Sequence, residues 1–200
     1  MRMRSSSPKR SGRRPGPSTT REAIARAART QFAERGYERT TIRGIASAAG
    51  VDAALVIRFY GSKEELFRTV MDLPPAVSGR IAQLADGPRD SVGRRLAELV
   101  VGVLENPETR TVVLGRIRSA TSHPDAAALV RETVTRDLGL LTRAVTDDRP
   151  ELRAVLVGST VVGVALARYV VLVEPLASAP PNEVLDLLAP TFQRYLTEPL

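Results

Sequence analysis

The chain has 200 residues, no cysteine and a single histidine, with 29 basic against 22 acidic side chains and a formal net charge of +7. That length can bury one large or two small cores, and the missing thiols exclude disulfides, thiolate metal sites and cysteine catalysis. Charge is uneven: residues 1–20 carry net +6, residues 21–71 net +3 and residues 72–200 net −2. A positive N-terminal end beside a nearly neutral remainder suits a phosphate-binding module joined to a body that need not touch nucleic acid. Only Lys9 and Lys63 are lysines, an arginine excess that reads, with abundant Ala, Val and Gly, as the codon bias of a high-GC bacterial genome.

Residues 1–18, MRMRSSSPKRSGRRPGPS, have almost nothing to bury and predict a disordered basic arm. The arm lacks an apolar h-region, so no secretory signal is expected and the expected compartment is the cytoplasm. It can lie along phosphates or in a minor groove, or act only as a solubilising tail.

From Thr19 or Thr20 to Arg35, the residues Ile24, Ala27, Ala28, Phe32 and Ala33 recur at helical spacing, and Gly36 closes the segment. Residues 41–63, TIRGIASAAGVDAALVIRFYGSK, then read as two short helices about a Gly-bearing turn, followed by a basic anchor. That is the pattern of a helix-turn-helix, which enters the major groove of DNA. Thr41 N-caps the first helix, Ile42, Ile45 and Ala46 form its inner face, and Gly50 supplies the positive φ of the turn. Asp52 caps the second helix, with Leu55, Val56, Phe59 and Tyr60 inward and Ala53, Ala54, Ile57 and Arg58 outward.

Ser62 and Glu65 make a capping box for a fourth helix through Leu66, Phe67, Val70 and Met71, which Pro74 and Pro75 stop. A domain boundary is placed near residues 74–78. Beyond it five helices are predicted: Asp90 to Glu105, Pro107 to about Thr121, Asp125 to Val145, Pro150 to about Val173, and Asn182 onward, with Pro190 expected to kink or divide the last. The stretch Ala154–Val173 is long enough to span a bilayer. It contains Arg168 and several small polar residues and has no second span beside it, so it is read instead as a helix covered by its own domain and by a partner chain. Gly158, Gly163, Ala165 and Ala167 would permit close helix approach there.

Residues Thr20 to Met71 resemble the tetracycline-repressor (TetR) family of bacterial transcriptional regulators. The resemblance rests on the close of the first helix from Phe32 to Gly36 and Tyr37, on Thr40-Thr41, Ile45-Ala46, Ala49-Gly50-Val51, Phe59-Tyr60, and on SKEELF from Ser62 to Phe67. It implies an all-α protein of about nine helices. The N-terminal domain, 19–76, would be a three-helix helix-turn-helix DNA-binding unit with its motif at 41–60, and 77–200 a helical ligand-binding and dimerisation domain. The implied protein is a ligand-responsive regulator, by default a repressor, that grips double-stranded DNA at a palindromic operator as a homodimer and is released by an unknown small effector. No cofactor, metal or membrane is expected.

Carried over onto this chain, Thr41 and Lys63 would hold phosphates, Arg43 a phosphate or a base, and Asp52, Ala53, Ala54, Ile57, Arg58 and Phe59 would lie at the groove. Ile57 stands where the family commonly has tyrosine, and alanines precede it where glycine or small polar residues are usual. Direct hydrogen-bond readout therefore falls on Arg58, which can engage guanine bidentately or take a phosphate instead.

An enzyme has little support, since no phosphate loop, nucleophile elbow or carboxylate motif is present. His123, ahead of Pro124, is a capping or solvated residue or a pocket ligand. Arg116 could meet an acidic effector, couple the pocket to the fourth helix, or form a salt bridge. Arg168 and Tyr169 sit in an apolar stretch and require polar partners, in a pocket or at a dimer interface. A helical protein-interaction adaptor without specific DNA binding is the alternative to the regulator.

Overall fold

A computed structural model of the chain describes residues 17–199, and among these all regular structure is helical. The basic arm falls outside the described residues up to position 16; Pro17 and Ser18, assigned to it above, open the first helix instead. Pro at the first helical position supplies a preset φ and lacks an N–H that would have no partner there.

The elements in chain order are α1 (Pro17–Arg39), α2 (Ile42–Ala49), α3 (Ala53–Tyr60), α4 (Lys63–Val70), α5 (Pro75–Gln83), α6 (Val92–Glu105), α7 (Pro107–Ala120), α8 (Pro124–Glu132), α9 (Gly139–Val145), α10 (Pro150–Leu166) and α11 (Pro181–Thr197). A π turn at Thr133–Leu138 joins α8 to α9 in one rod, and a second at Ala167–Val171 extends α10. Counting each rod once, the described residues form ten helices. The sequence reading of nine lacked α5. The Pro74-Pro75 pair predicts a stop from sequence, whereas Pro75 starts a helix for the same reason that Pro17 does.

Buried side chains form two clusters. The first gathers α1 to α4, with Phe32, Tyr37 and Phe67 at its centre; Phe67 stands edge-on to both other rings, at centroid distances of 4.9 and 5.2 Å. Ala126 and Leu129 of α8 belong to this cluster as well, so the later helices help to close it. The second cluster joins α5, α6, α7, α9, α10 and α11, with α6 and α11 packed along each other.

Pro190 lies inside α11 without dividing it. Phe192 and Leu196, just beyond the proline, are fully buried, and that packing holds the helix through its one missing donor. Arg153, a residue without an obvious role in the sequence, is 1% exposed and ties the start of α10 to the end of α11. Its guanidinium donates to the carbonyls of Tyr195 at 2.6 Å and Glu198 at 2.8 Å, which the end of a helix leaves without partners.

The helix Pro150–Val171 is the one among the described residues long and apolar enough to cross a membrane. Its small residues do not share one face. Gly158 and Ala165 are buried within the chain, Gly158 so close to Val134 that a Cβ there would lie 2.7 Å from a Val134 methyl, while Gly163 is exposed. The close approach expected from Gly158 is therefore made inside the chain.

Candidate functional site

The turn between α2 and α3 is built from local rules. Thr41 has extended backbone, and its Oγ1 accepts from the Gly44 N–H at 3.0 Å; Asp52 Oδ1 accepts from the Ala54 N–H at 2.8 Å. Gly50, at φ 67°, reverses the chain in the left-handed region, and the Val51 N–H returns to the Ala46 carbonyl at 2.9 Å. Two capped helix starts are thereby left at the surface, each with free N–H groups and the positive end of its dipole. Thr41 and Arg43 are exposed beside the first of them.

On α3, Val56 and Tyr60 face the core, with the Tyr60 hydroxyl donating to the Arg21 carbonyl at 2.9 Å. Ala54, Ile57 and Arg58 are exposed. Ala53, read as outward, and Leu55, read as inward, are each half-buried, and Ala53 and Phe59 pack against the first core. The shift has a simple cause: a two-turn helix seated on α2 shows only a narrow stripe, and its first residue lies in the corner with α2. The open face is reduced to Ala54, Ile57 and Arg58.

α4 begins with the anticipated capping box, in which Ser62 Oγ accepts from the Glu65 N–H and Glu65 Oε2 accepts from the Ser62 N–H, both at 3.1 Å. Lys63, the first residue of α4, holds its ammonium 4.0 Å from the centroid of the Tyr37 ring. Partial burial lowers its pKa, with Glu38 and Glu64 opposing. Tyr37 donates its hydroxyl to Glu64 Oε1 at 2.8 Å, and burial followed by this bond raises the phenol's pKa.

Tyr37 also carries a contact to the second half of the molecule, where the His123 ring lies with its centroid 3.6 Å away. Arg118 donates to the Ala33 carbonyl of α1. Arg116, 4% exposed, donates from Nε to the Met71 carbonyl, from Nη1 to Thr133 Oγ1 at 2.9 Å and from Nη2 to Asp72 Oδ1 at 2.8 Å. Burial pulls the Arg116 pKa down and Asp72 opposes it. Helix α7 is thus bonded to α1 and to the end of α4.

Between α5, α6, α7, the π turn and α10 lies an apolar cavity of about 120 Å³. Val77, Ile81, Leu99, Val103, Val134 and Val161 are typical of its walls, and Arg116 and Thr133 supply the polar side chains. The wall includes a π turn, a rare form found frequently at functional sites.

Of the four effector candidates read from sequence, Arg116 alone lines this cavity. His123 sits at the link between α7 and α8 against Tyr37, capping nothing with its side chain. Arg168 and Tyr169 turn instead to Glu105, with Arg168 Nη2 at 3.1 Å and Tyr169 Oη at 2.7 Å from Glu105 Oε1. They have the polar partners their setting demanded, within the chain and away from the cavity. The apolar wall residues carried no mark in the sequence, because a side chain facing a cavity and one facing a packed core obey the same helical spacing.

Residues 24–70 match the model for bacterial regulatory proteins of the tetR family, and residues 90–196 match the model for the tetracyclin repressor-like C-terminal domain. The HTH-type transcriptional repressor AcnR of Corynebacterium glutamicum is 33% identical over 92 residues, 46% of this chain and 44% of that protein. The HTH-type transcriptional repressor KstR2 of Mycolicibacterium smegmatis is 34% identical over 71 residues, 35% of each chain. The matched region thus spans less than half the length of these curated relatives. A solved TetR-family regulator from Streptomyces coelicolor A3 is 36% identical and superposes with a TM-score of 0.61, covering 92% of this chain and 98% of that one.

Proposed function

The chain belongs to the tetracycline-repressor (TetR) family, and from that premise we propose that it is a cytoplasmic, ligand-responsive repressor that binds a palindromic operator as a homodimer. The observation that carries this reading is the bonding of two differently built parts. A helix-turn-helix with an exposed outer stripe is tied through α7 to a helical body that encloses an apolar cavity.

Residues 19–76 form the DNA-binding domain and 77–200 the ligand-binding and dimerisation domain. At the DNA, Ala54, Ile57 and Arg58 face base edges, with Arg58 the one side chain of the three able to hydrogen-bond a guanine. Thr41, Arg43 and Lys63 take phosphates; the Thr41 oxygen already accepts from Gly44, so its hydroxyl proton is the part directed outward. Asp52 caps the exposed start of α3, and Ala53 and Phe59 set its pose from the core side.

The second copy covers the outer faces of α10 and α11, where Leu152, Val155 and Leu187 are exposed at 46%, 48% and 66%. Recognition helices paired in this way reach successive major grooves roughly 34–36 Å apart or a multiple of it. The test is binding to a palindrome from the gene's own upstream region, followed across a salt series. Preference over random duplex with steep weakening by salt supports the reading, and equal binding to both duplexes defeats it.

A further inference from the structure

We propose that the cavity takes an uncharged, hydrocarbon-rich ligand and rejects anions of the same shape. This rests on the reading above only in treating the cavity as a ligand site; it goes beyond it in naming the ligand's chemistry.

A buried cation in a pocket wall ordinarily suggests an acidic ligand, because a carboxylate or phosphate would neutralise it. Here the cation is already neutralised. Arg116 is the one charged side chain lining the cavity, and each of its three guanidinium nitrogens donates within the protein, to the Met71 carbonyl, to Thr133 Oγ1 and to Asp72 Oδ1. Thr133, the one lining hydroxyl, is used on both sides, since it accepts from Arg116 and donates to the Leu129 carbonyl at 3.2 Å.

Among the described residues, none of the buried polar side-chain atoms without a partner, on Gln31, Arg95, Ser119 and His123, belongs to a residue of the wall. The Arg116 bonds use three of the five guanidinium N–H groups, and the cavity surface itself is almost wholly apolar, so an anion placed here would shed its hydration against hydrocarbon. That desolvation is costly, whereas an apolar group gains from every square ångström it buries. Arg116 is accordingly a strut between the cavity wall and α4, and a ligand reads the wall by shape and apolar area.

The test compares two fluorescent probes that share one ring skeleton, N-phenyl-1-naphthylamine, which is neutral, and 8-anilinonaphthalene-1-sulfonate, which carries a sulfonate. Each is titrated into the full-length protein without DNA. The neutral probe is expected to bind at least about tenfold more tightly, a difference set by the unpaired sulfonate. Val103→Phe and Val161→Phe each place a ring in the empty space and should each abolish binding of the neutral probe, with helical circular dichroism unchanged in at least one.

Equal or tighter binding of the sulfonate, lost in the same variants, would overturn the neutral-ligand inference while leaving the cavity as a ligand site. Binding of the neutral probe that survives both fillings, or no saturable binding of it, overturns the inference as well. Because DNA is absent from these titrations, failure to recognise an operator is a separate result.

Discussion

At the residue scale, the outer stripe of α3 has only one hydrogen-bonding side chain, Arg58, set between Ala54 and Ile57 on the exposed face. Arg58→Ala is expected to cost about 1–3 kcal/mol on the operator and to relax preference at one base pair per half-site. Equal losses on every sequence in a binding competition would reduce Arg58 to a phosphate contact. Lys63 differs because its ammonium rests over the Tyr37 ring rather than reaching into solvent. Lys63→Ala should weaken all duplexes alike and lower the slope of log affinity against log salt by about one; an unchanged slope excludes a phosphate role. The caps Thr41, Asp52 and Ser62 could be read directly from the sequence, since a cap acts on backbone groups two or three residues away. His123 could not, because its neighbour Tyr37 lies 86 positions earlier and no local pattern joins them.

At the element scale, the most extensive helix pair is α6 against α11, and its close approach depends on Gly93. A Cβ at that position would press on the Gln193 backbone and lie 2.7 Å from the Ala189 carbonyl oxygen. The Gly93 N–H also donates to Gln193 Oε1 at 2.8 Å, so this approach is bonded as well as close. Gly93→Ala should destabilise the protein by about 1–3 kcal/mol through forced separation of the two helices. Urea unfolding measures it; a neutral or stabilising effect, as expected of Gly→Ala in an open helix, would show that α6 and α11 are not in this contact. The sequence marked α6 by its apolar spacing but said nothing of Gly93, because a glycine chosen for contact looks like any other. α5 is hidden for the opposite reason: Pro74-Pro75 is a strong local mark that both a stop and a start would leave.

At the scale of the whole molecule, two cores are joined by α7 and α8, and a third surface remains open along α10 and α11. Val155→Glu with Leu187→Glu should place four carboxylates in the proposed homodimer interface and leave a folded monomer with strongly reduced operator affinity. Sedimentation equilibrium decides this, and an intact dimer in the double variant would locate the two-fold elsewhere. The sequence by itself determined the helical class, the turn between α2 and α3 and the caps that bound it, since each follows from spacing or from groups within a single turn of chain. Only the tertiary structure decided that α3 exposes no more than a narrow stripe and that Arg116 spends its charge on Met71, Asp72 and Thr133. It also decided which apolar side chains surround empty space rather than packed neighbours. Those outcomes depend on residues dozens of positions apart meeting in space, and helical periodicity records which face is buried but not what it is buried against.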